Sequence, residues 1–293
     1  MAAVGGPEGT LYVVGTPIGN LDDLSPRAVE AFASSDLVAC EDTRRTRILL
    51  SRHGLSKRMV SYHAFNEKRR LRELLEALGR GRRIALASDG GTPGVSDPGA
   101  LLVRAAREAG HRVVPVPGPS ALTALVSASG FPPGPFTFIG FLPHRKGARR
   151  RALQAVANET RPLLFFESPR RLLPMLADAL EILGDRDVCL GREMTKLHEE
   201  ILAGTIRTLL ATFEGREVRG EIALMLSAAS PAPSATRTPA SDIPAPESPA
   251  DRVRRLIEAG VDRKEALRRV AREAGVSRRE LYRRVLIEAS EEE

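Results

Sequence analysis

Residues 82–99, RRIALASDGGTPGVSDPG, decide the fold. The first seven read as a buried strand: a short apolar run bounded by arginines and a serine. The remainder, Ala87-Ser-Asp-Gly-Gly-Thr-Pro-Gly-Val-Ser-Asp-Pro-Gly99, packs four glycines, two prolines and two aspartates into thirteen residues. A strand ending in such a loop belongs to an α/β sheet whose ligands sit beyond the carboxyl ends of its strands. Backbone so rich in glycine can approach a purine, a ribose and an amino-acid tail without bulky side chains intruding. A loop with only a structural task does not need this density of special residues.

Working outward, short apolar runs alternate with helical patterns. LYVVG at 11–15 is followed by a helix near 25–34, DLVAC at 36–40 and a helix through Leu50. The stretch 66–79 puts Leu71, Leu74, Leu75 and Leu78 on one face and feeds the strand at 82–88. This βαβα series predicts a parallel sheet covered by helices. RVVPVPG at 112–118 ends that unit, so a first α/β domain is expected over 1–118. A second, over 119–228, holds FTFIGF (136–141), PLLFFE (162–167), DVCLGRE (187–193) and EIALMLS (221–227). Near-hairpin spacing there points to a mixed or antiparallel sheet. Residues 229–250 are rich in Pro, Ala and Ser, the composition of an extended linker. Residues 251–293 read as three short helices in a helix-turn-helix. Ser277 and Glu280 form a capping box there, and the last helix presents Arg278 and Arg279 to a phosphate backbone.

Composition narrows the function. Hydrophobic residues are 42% of the 293 and charged ones 28%, enough for a substantial core. No run reaches the roughly 20 apolar residues that span a bilayer, and MAAVGGPEGT lacks the basic start of a signal peptide, so a cytoplasmic protein is expected. Cys40 and Cys189 have no second thiol at zinc-ligand spacing, so they read as core residues and no metal is expected. Forty-four Lys and Arg against 37 Asp and Glu favour a polyanionic partner. An Arg-rich codon usage raises charge equally well. The tail holds 12 basic and 10 acidic residues, so RNA contact by it rests on their arrangement and not on their sum.

GTPIGNLDDLSPRA, CEDTRRT, SDGGTPGVSDPG, PGPSA, GFLP, FFESPRR and GREMTKLHEE occur here in the order found in the tetrapyrrole methylase superfamily. The chain resembles its ribosomal-RNA-modifying branch nearly continuously over residues 11–227. The resemblance implies a two-domain, homodimeric enzyme with S-adenosylmethionine in the interdomain cleft. It also implies methylation of the ribose 2′-oxygen of a decoding-centre cytidine in 16S rRNA of the small ribosomal subunit. Carried onto this chain, the cofactor cleft comprises Pro17; Asp89, Gly90, Gly91, Val95, Ser96 and Asp97; Ser120 and Ala121; with FFES and the strand carrying Met225 closing it.

Methyl transfer to a hydroxyl gains from a base and from a cation beside the developing oxyanion. Glu41, Asp42, Glu167, Glu193 and Lys196 are open to those roles, with Asp42, Glu193 and Lys196 put first. Glu193 and Lys196 share a face if their stretch is helical, and are equally readable as an ion pair. Arg44, Arg45, His63, Asn66, His144, Arg145, Lys146 and Arg170 occupy loop or helix-start positions suited to gripping RNA. HRKGARRR at 144–151 is the densest such cluster. A macrocycle methylase of the same fold and a non-catalytic RNA-binding assembly factor stand as alternatives.

Overall fold

The computed structural model describes residues 9–229, 249–258 and 261–273. By contacts the chain divides into one compact unit through Ser230 and a second from Pro231.

The first unit contains two five-stranded sheets. The first is wholly parallel: β1 (Thr10–Val14), β2 (Leu37–Cys40), β3 (Met59–Ser61), β4 (Arg83–Ala87) and β5 (Arg112–Val116), in the order β3-β2-β4-β1-β5. β4 is the strand read from residues 82–88, and Ile84 to Ala87 are buried. Parallel strands buried on both faces lose the polar alternation of exposed sheets, which explains that unbroken apolar run.

Helices α1 (Pro26–Ser34), α2 (Thr43–Arg52), α3 (Glu67–Gly79) and α4 (Ala100–Glu108) form the crossovers. Ser25 starts α1, its hydroxyl accepting the Ala28 N–H at 3.1 Å, with Pro26 in the first turn where no amide partner is lost. Two apolar clusters cover the sheet, one built on Phe32, Leu49 and Leu50, the other on Leu74, Leu78 and Leu102. The leucine face read from 66–79 is therefore a packing face.

The second sheet is mixed. It holds β6 (Thr137–Phe141), β7 (Leu163–Glu167), β8 (Asp187–Arg192), β9 (Glu200–Thr205) and β10 (Ile222–Leu226), in the order β6-β7-β10-β8-β9. Only β6 and β7 run parallel. Along β10, Ile222, Leu224 and Leu226 enter the main core with α6 (Lys146–Ala155), α7 (Leu172–Leu183) and α8 (Ile206–Phe213). Ala223 and Met225 face a separate cluster with Ile18, Ala121, Leu125 and Met194. Strand alternation thus turns one face of this sheet toward α5 (Ala121–Ala128) and toward the loop after β1.

β3 and β9 lack a clear sequence signal; both are edge strands with no fully buried residue. In the second unit, α9 (Pro249–Glu258) and α10 (Arg263–Glu273) pack Val253 against Ala266, Leu267, Val270 and Ala271. The third expected helix, with Ser277, Arg278, Arg279 and Glu280, and most of the linker lie outside the described residues. No helix of the described residues is long and apolar enough to cross a membrane.

Candidate functional site

The loops at the carboxyl ends of β1, β2, β4 and β5 meet, and glycine permits the meeting. A Cβ on Gly15 would lie 2.7 Å from the Gly118 nitrogen, and one on Gly118 only 2.6 Å from the Gly15 oxygen. The turns after β1 and β5 therefore touch backbone to backbone, at a spacing that no other residue allows. Thr16 and Gly91 exchange backbone hydrogen bonds of 2.9 and 3.0 Å, and Thr16 Oγ1 donates to the Ser88 carbonyl at 3.1 Å. Gly91 has φ +87°, so the reversal after β4 also requires glycine. Pro17, buried, presents its carbonyl where a Cβ on Gly90 would come within 3.3 Å. Thr16 went unread in the sequence because nothing local marks a threonine that ties two loops together.

This junction is acidic. Asp89 Oδ1 accepts the Asp42 N–H at 2.9 Å, and Arg45 stands 3.5 Å from the other oxygen. Burial raises the Glu41 carboxyl above its ordinary range, and the charges of Asp97 and Asp89 raise it further. Burial likewise raises Asp97, with Asp89 and Glu221 adding repulsion against a hydrogen bond from Ser88. A cationic ligand would relieve this repulsion. Asp42 is employed otherwise: its carboxylate caps α2 through the Arg44 N–H at 2.8 Å and pairs with the Arg44 guanidinium at 2.7 Å. Those bonds hold it ionised well below the usual carboxylate range.

The mixed sheet contributes a charged loop. Glu193 and Lys196 lie in a turn between β8 and β9, not in a helix, with φ +51° at Glu193 and +69° at Thr195. Such values in non-glycine residues mark a backbone held by its surroundings. Lys196 Nζ bonds Glu193 at 2.8 Å and Glu221 at 3.0 Å, while the Glu221 N–H donates to Glu193 at 2.9 Å. Burial opposes charge on both Glu193 and Lys196, but these bonds outweigh it, so the carboxyl lies below its ordinary range and the ammonium above.

The antiparallel register pairs Ile222 with Arg192 and so brings Glu221 beside Glu193, a partnership that sequence spacing could not disclose. The same turn meets the first sheet, since the Asn20 N–H donates to Thr195 Oγ1 at 3.1 Å. Ala121 and Met225 sit together with Phe166 in the apolar cluster beside it. Ser96 and Val95 are exposed on the far rim, where a Cβ on Gly140 of β6 would lie 3.6 Å from Ser96 Oγ. Ser120 precedes α5 as its N-terminal cap residue.

The basic residues divide. Arg44, Arg45, Arg145, Lys146, Arg170 and His144 are exposed; His144 Nδ1 lies 3.0 Å from Arg171. Asn66 is buried and pins its own loop, accepting the His63 N–H at 2.9 Å and donating to the Ser61 carbonyl at 3.1 Å. Within HRKGARRR, Arg149 is buried against Asp178 at 2.6 Å, and Arg150 binds Asp178 at 3.0 Å and also Glu181. Two arginines read as phosphate contacts thus hold α6 to α7.

Glycine-built loops beyond a parallel sheet, an acidic cluster among them, and a second, mixed sheet define a two-sheet α/β protein. The chain belongs to the tetrapyrrole (corrin/porphyrin) methylase family, whose model matches residues 10–210, and it is a methyltransferase. Its fold is that of cobalt precorrin-4 methyltransferase from cobalamin biosynthesis (TM-score 0.57, 16% identity, 76% of this chain and 96% of that one). It is also that of uroporphyrin-III-C-methyltransferase from Thermus thermophilus (TM-score 0.55, 20% identity, 75% and 94%). At higher identity the chain is similar to curated proteins named ribosomal RNA small subunit methyltransferase I. That of Thermotoga maritima is 48% identical over 219 residues, 75% of this chain and 98% of the relative. That of Synechocystis sp. is 42% identical over 268 residues (90% and 93%), and that of Escherichia coli O157:H7 46% over 222 (75% and 78%).

Proposed function

We propose that this protein transfers a methyl group from S-adenosylmethionine to the ribose 2′-oxygen of a decoding-centre cytidine in 16S rRNA. The observation that carries this reading is the 48% identity along 98% of a ribosomal RNA small subunit methyltransferase I, against 16–20% for the macrocycle methylases that share the fold.

The residues present suit the cofactor. Its sulfonium and ammonium are cations, and Asp89, Asp97 and Glu41 form an acidic set whose mutual repulsion a cation would relieve. Gly90 and Gly91 leave backbone open for close approach, Pro17, Val95, Ser96, Ser120 and Ala121 would rim the pocket, and Met225 would supply an apolar floor. When bound, S-adenosylmethionine supplies a methyl group that is already electrophilic. What remains for the protein is to position a ribose hydroxyl, exclude water and manage one proton.

Lys196, fixed by Glu193 and Glu221, would stabilise negative charge growing on the ribose oxygen. Glu41, its carboxyl raised above the ordinary range first by burial, suits proton acceptance better than Asp42, which positions α2 and donates its N–H to Asp89. Arg44, Arg45, His63, His144, Arg145, Lys146 and Arg170 would meet the phosphates, with Arg278 and Arg279 of the tail as further anchors. The functional unit would be a cytoplasmic homodimer.

Tritiated methyl transfer to small ribosomal subunits lacking the modification, followed by nucleoside analysis, tests this reading. Label on a cytidine ribose is expected; label absent from RNA overturns it.

A further inference from the structure

Phe65 is 99% exposed in a chain with only nine phenylalanines and no tryptophan. A lone exposed apolar side chain usually calls for no explanation. This one differs in its mounting and its address.

The segment that carries it, Tyr62 to Asn66, is pinned from below. The Tyr62 N–H donates to the Cys40 carbonyl at 2.8 Å, buried Asn66 bonds His63 N and Ser61 O, and the Asn66 and Glu67 amides both return to the His63 carbonyl at 2.9 Å. His63 meets the Phe65 ring edge-on at 6.0 Å between centroids. An aromatic ring is thus held in water by a rigid loop, where a flexible one would let it fold back onto apolar surface.

Its neighbours Ala64 and Glu67 line a cavity of about 550 Å³ together with Ser96 and Asp97, residues proposed above to meet the cofactor. Arg44 and Arg45 are exposed at the start of α2, which follows β2, the strand adjoining β3. An exposed ring, cations at the start of the helix after the adjoining strand and a neighbouring pocket together match how single-stranded RNA is gripped: a base stacks on an aromatic face while arginines hold the backbone.

We infer that Phe65 is a stacking platform for a nucleobase of the substrate RNA, at or next to the nucleotide whose ribose is methylated, and that it positions that nucleotide over the cofactor pocket. Where the target nucleotide is displaced from its stack to bring its ribose to the cofactor, a fixed aromatic ring replaces part of the stacking lost. This inference rests on the RNA-methylation reading.

The test compares full-length wild type with Phe65→Ala, Phe65→Leu and Phe65→Trp in methyl transfer to unmodified small ribosomal subunits. S-adenosylmethionine affinity is measured by calorimetry and folding by thermal melting. Phe65→Ala should raise KM for subunits by about tenfold, within the range for loss of one base–aromatic stack. Phe65→Leu should behave like Phe65→Ala, Phe65→Trp should stay within about twofold of wild type, and cofactor affinity should hold in all three. An alanine variant within about twofold of wild type, a leucine variant as active as the tryptophan one, or a parallel loss of cofactor affinity would each overturn the inference while leaving the RNA reading intact. Wild type that methylates no RNA would overturn both, and the control alone would show it.

Discussion

The two sheets of the first unit contribute to the proposed cleft by different means. The parallel sheet builds its share from backbone: Gly15 against Gly118, Thr16 against Gly91, and carbonyls set close because side chains are missing. The mixed sheet builds its share from side chains, the Glu193–Lys196–Glu221 set and the apolar pair Met194 and Met225. Backbone-built geometry fails when an atom is added, whereas charge-built geometry fails when a charge is removed. Substitutions can therefore separate the halves.

The largest effect should fall away from the cleft. Arg149 and Asp178 have side chains only 7% and 6% exposed, and Arg149→Met would leave a buried carboxylate with Arg150 as its remaining partner. Loss of one member of a buried pair costs about 3–5 kcal/mol. Thermal melting should show a drop on the order of 10 °C for a unit of this size. Methyl transfer per folded molecule should be unchanged. A selective loss of subunit binding with no loss of stability would instead return Arg149 to the RNA-contacting set.

Gly15→Ala sharpens the backbone side of the contrast. The added methyl meets the Gly118 backbone, which has no rotamer to yield, so the upper end of the overpacking range, about 3 kcal/mol, is expected. Cofactor affinity should fall with it as the turns after β1 and β5 separate. Calorimetric titration that finds wild-type affinity in a stable Gly15→Ala variant would remove these turns from the pocket.

Lys196→Gln tests the charge side. The side chain is partly exposed, so stability should move by only about 0.5 kcal/mol. The rate constant at saturating subunits should drop by about 100-fold, the low end for removal of a group that stabilises developing charge. A change confined to KM would reassign Lys196 to phosphate contact.

The same contrast explains what could be read in advance. Strands β2, β4, β7, β8 and β10 are legible because burial leaves continuous apolar runs in each, β1 and the edge strand β6 are legible from apolar residues that are mostly half-buried, and the 87–99 loop is legible because close backbone approach demands glycine. β3 is only three residues long and β9 alternates between exposed and half-buried positions, so no apolar run records them. Side-chain constellations are the least legible. Glu221 reaches Glu193 through strand register, and Arg149 and Arg150 turn inward because Asp178 and Glu181 lie on the facing helix. Neither fact leaves a mark at short range in the chain. A run such as HRKGARRR reads as one cluster, although α6 splits it between solvent and core.

The smallest expected effect is in the pH dependence of stability. The folded Glu193 carboxyl lies below its unfolded value of about 4.3, so its contribution is complete above that pH and is lost as pH falls through the folded value. The folded Lys196 ammonium lies above its unfolded value of about 10.4, so its contribution is complete below that pH and is lost as pH rises through the folded value. Between the two the pair gives a flat plateau. Glu193→Gln removes the acid-side loss, and chemical denaturation from about pH 3 to pH 7 should show a shallower slope by a few tenths of a kcal/mol, the scale of a partly exposed pair. Identical slopes would mean that the positive-φ backbone at Glu193 and Thr195, and not the ion pair, holds this turn against the loop after β1. In that case the mixed sheet would also build its share of the cleft from backbone, and the distinction between the two sheets would dissolve.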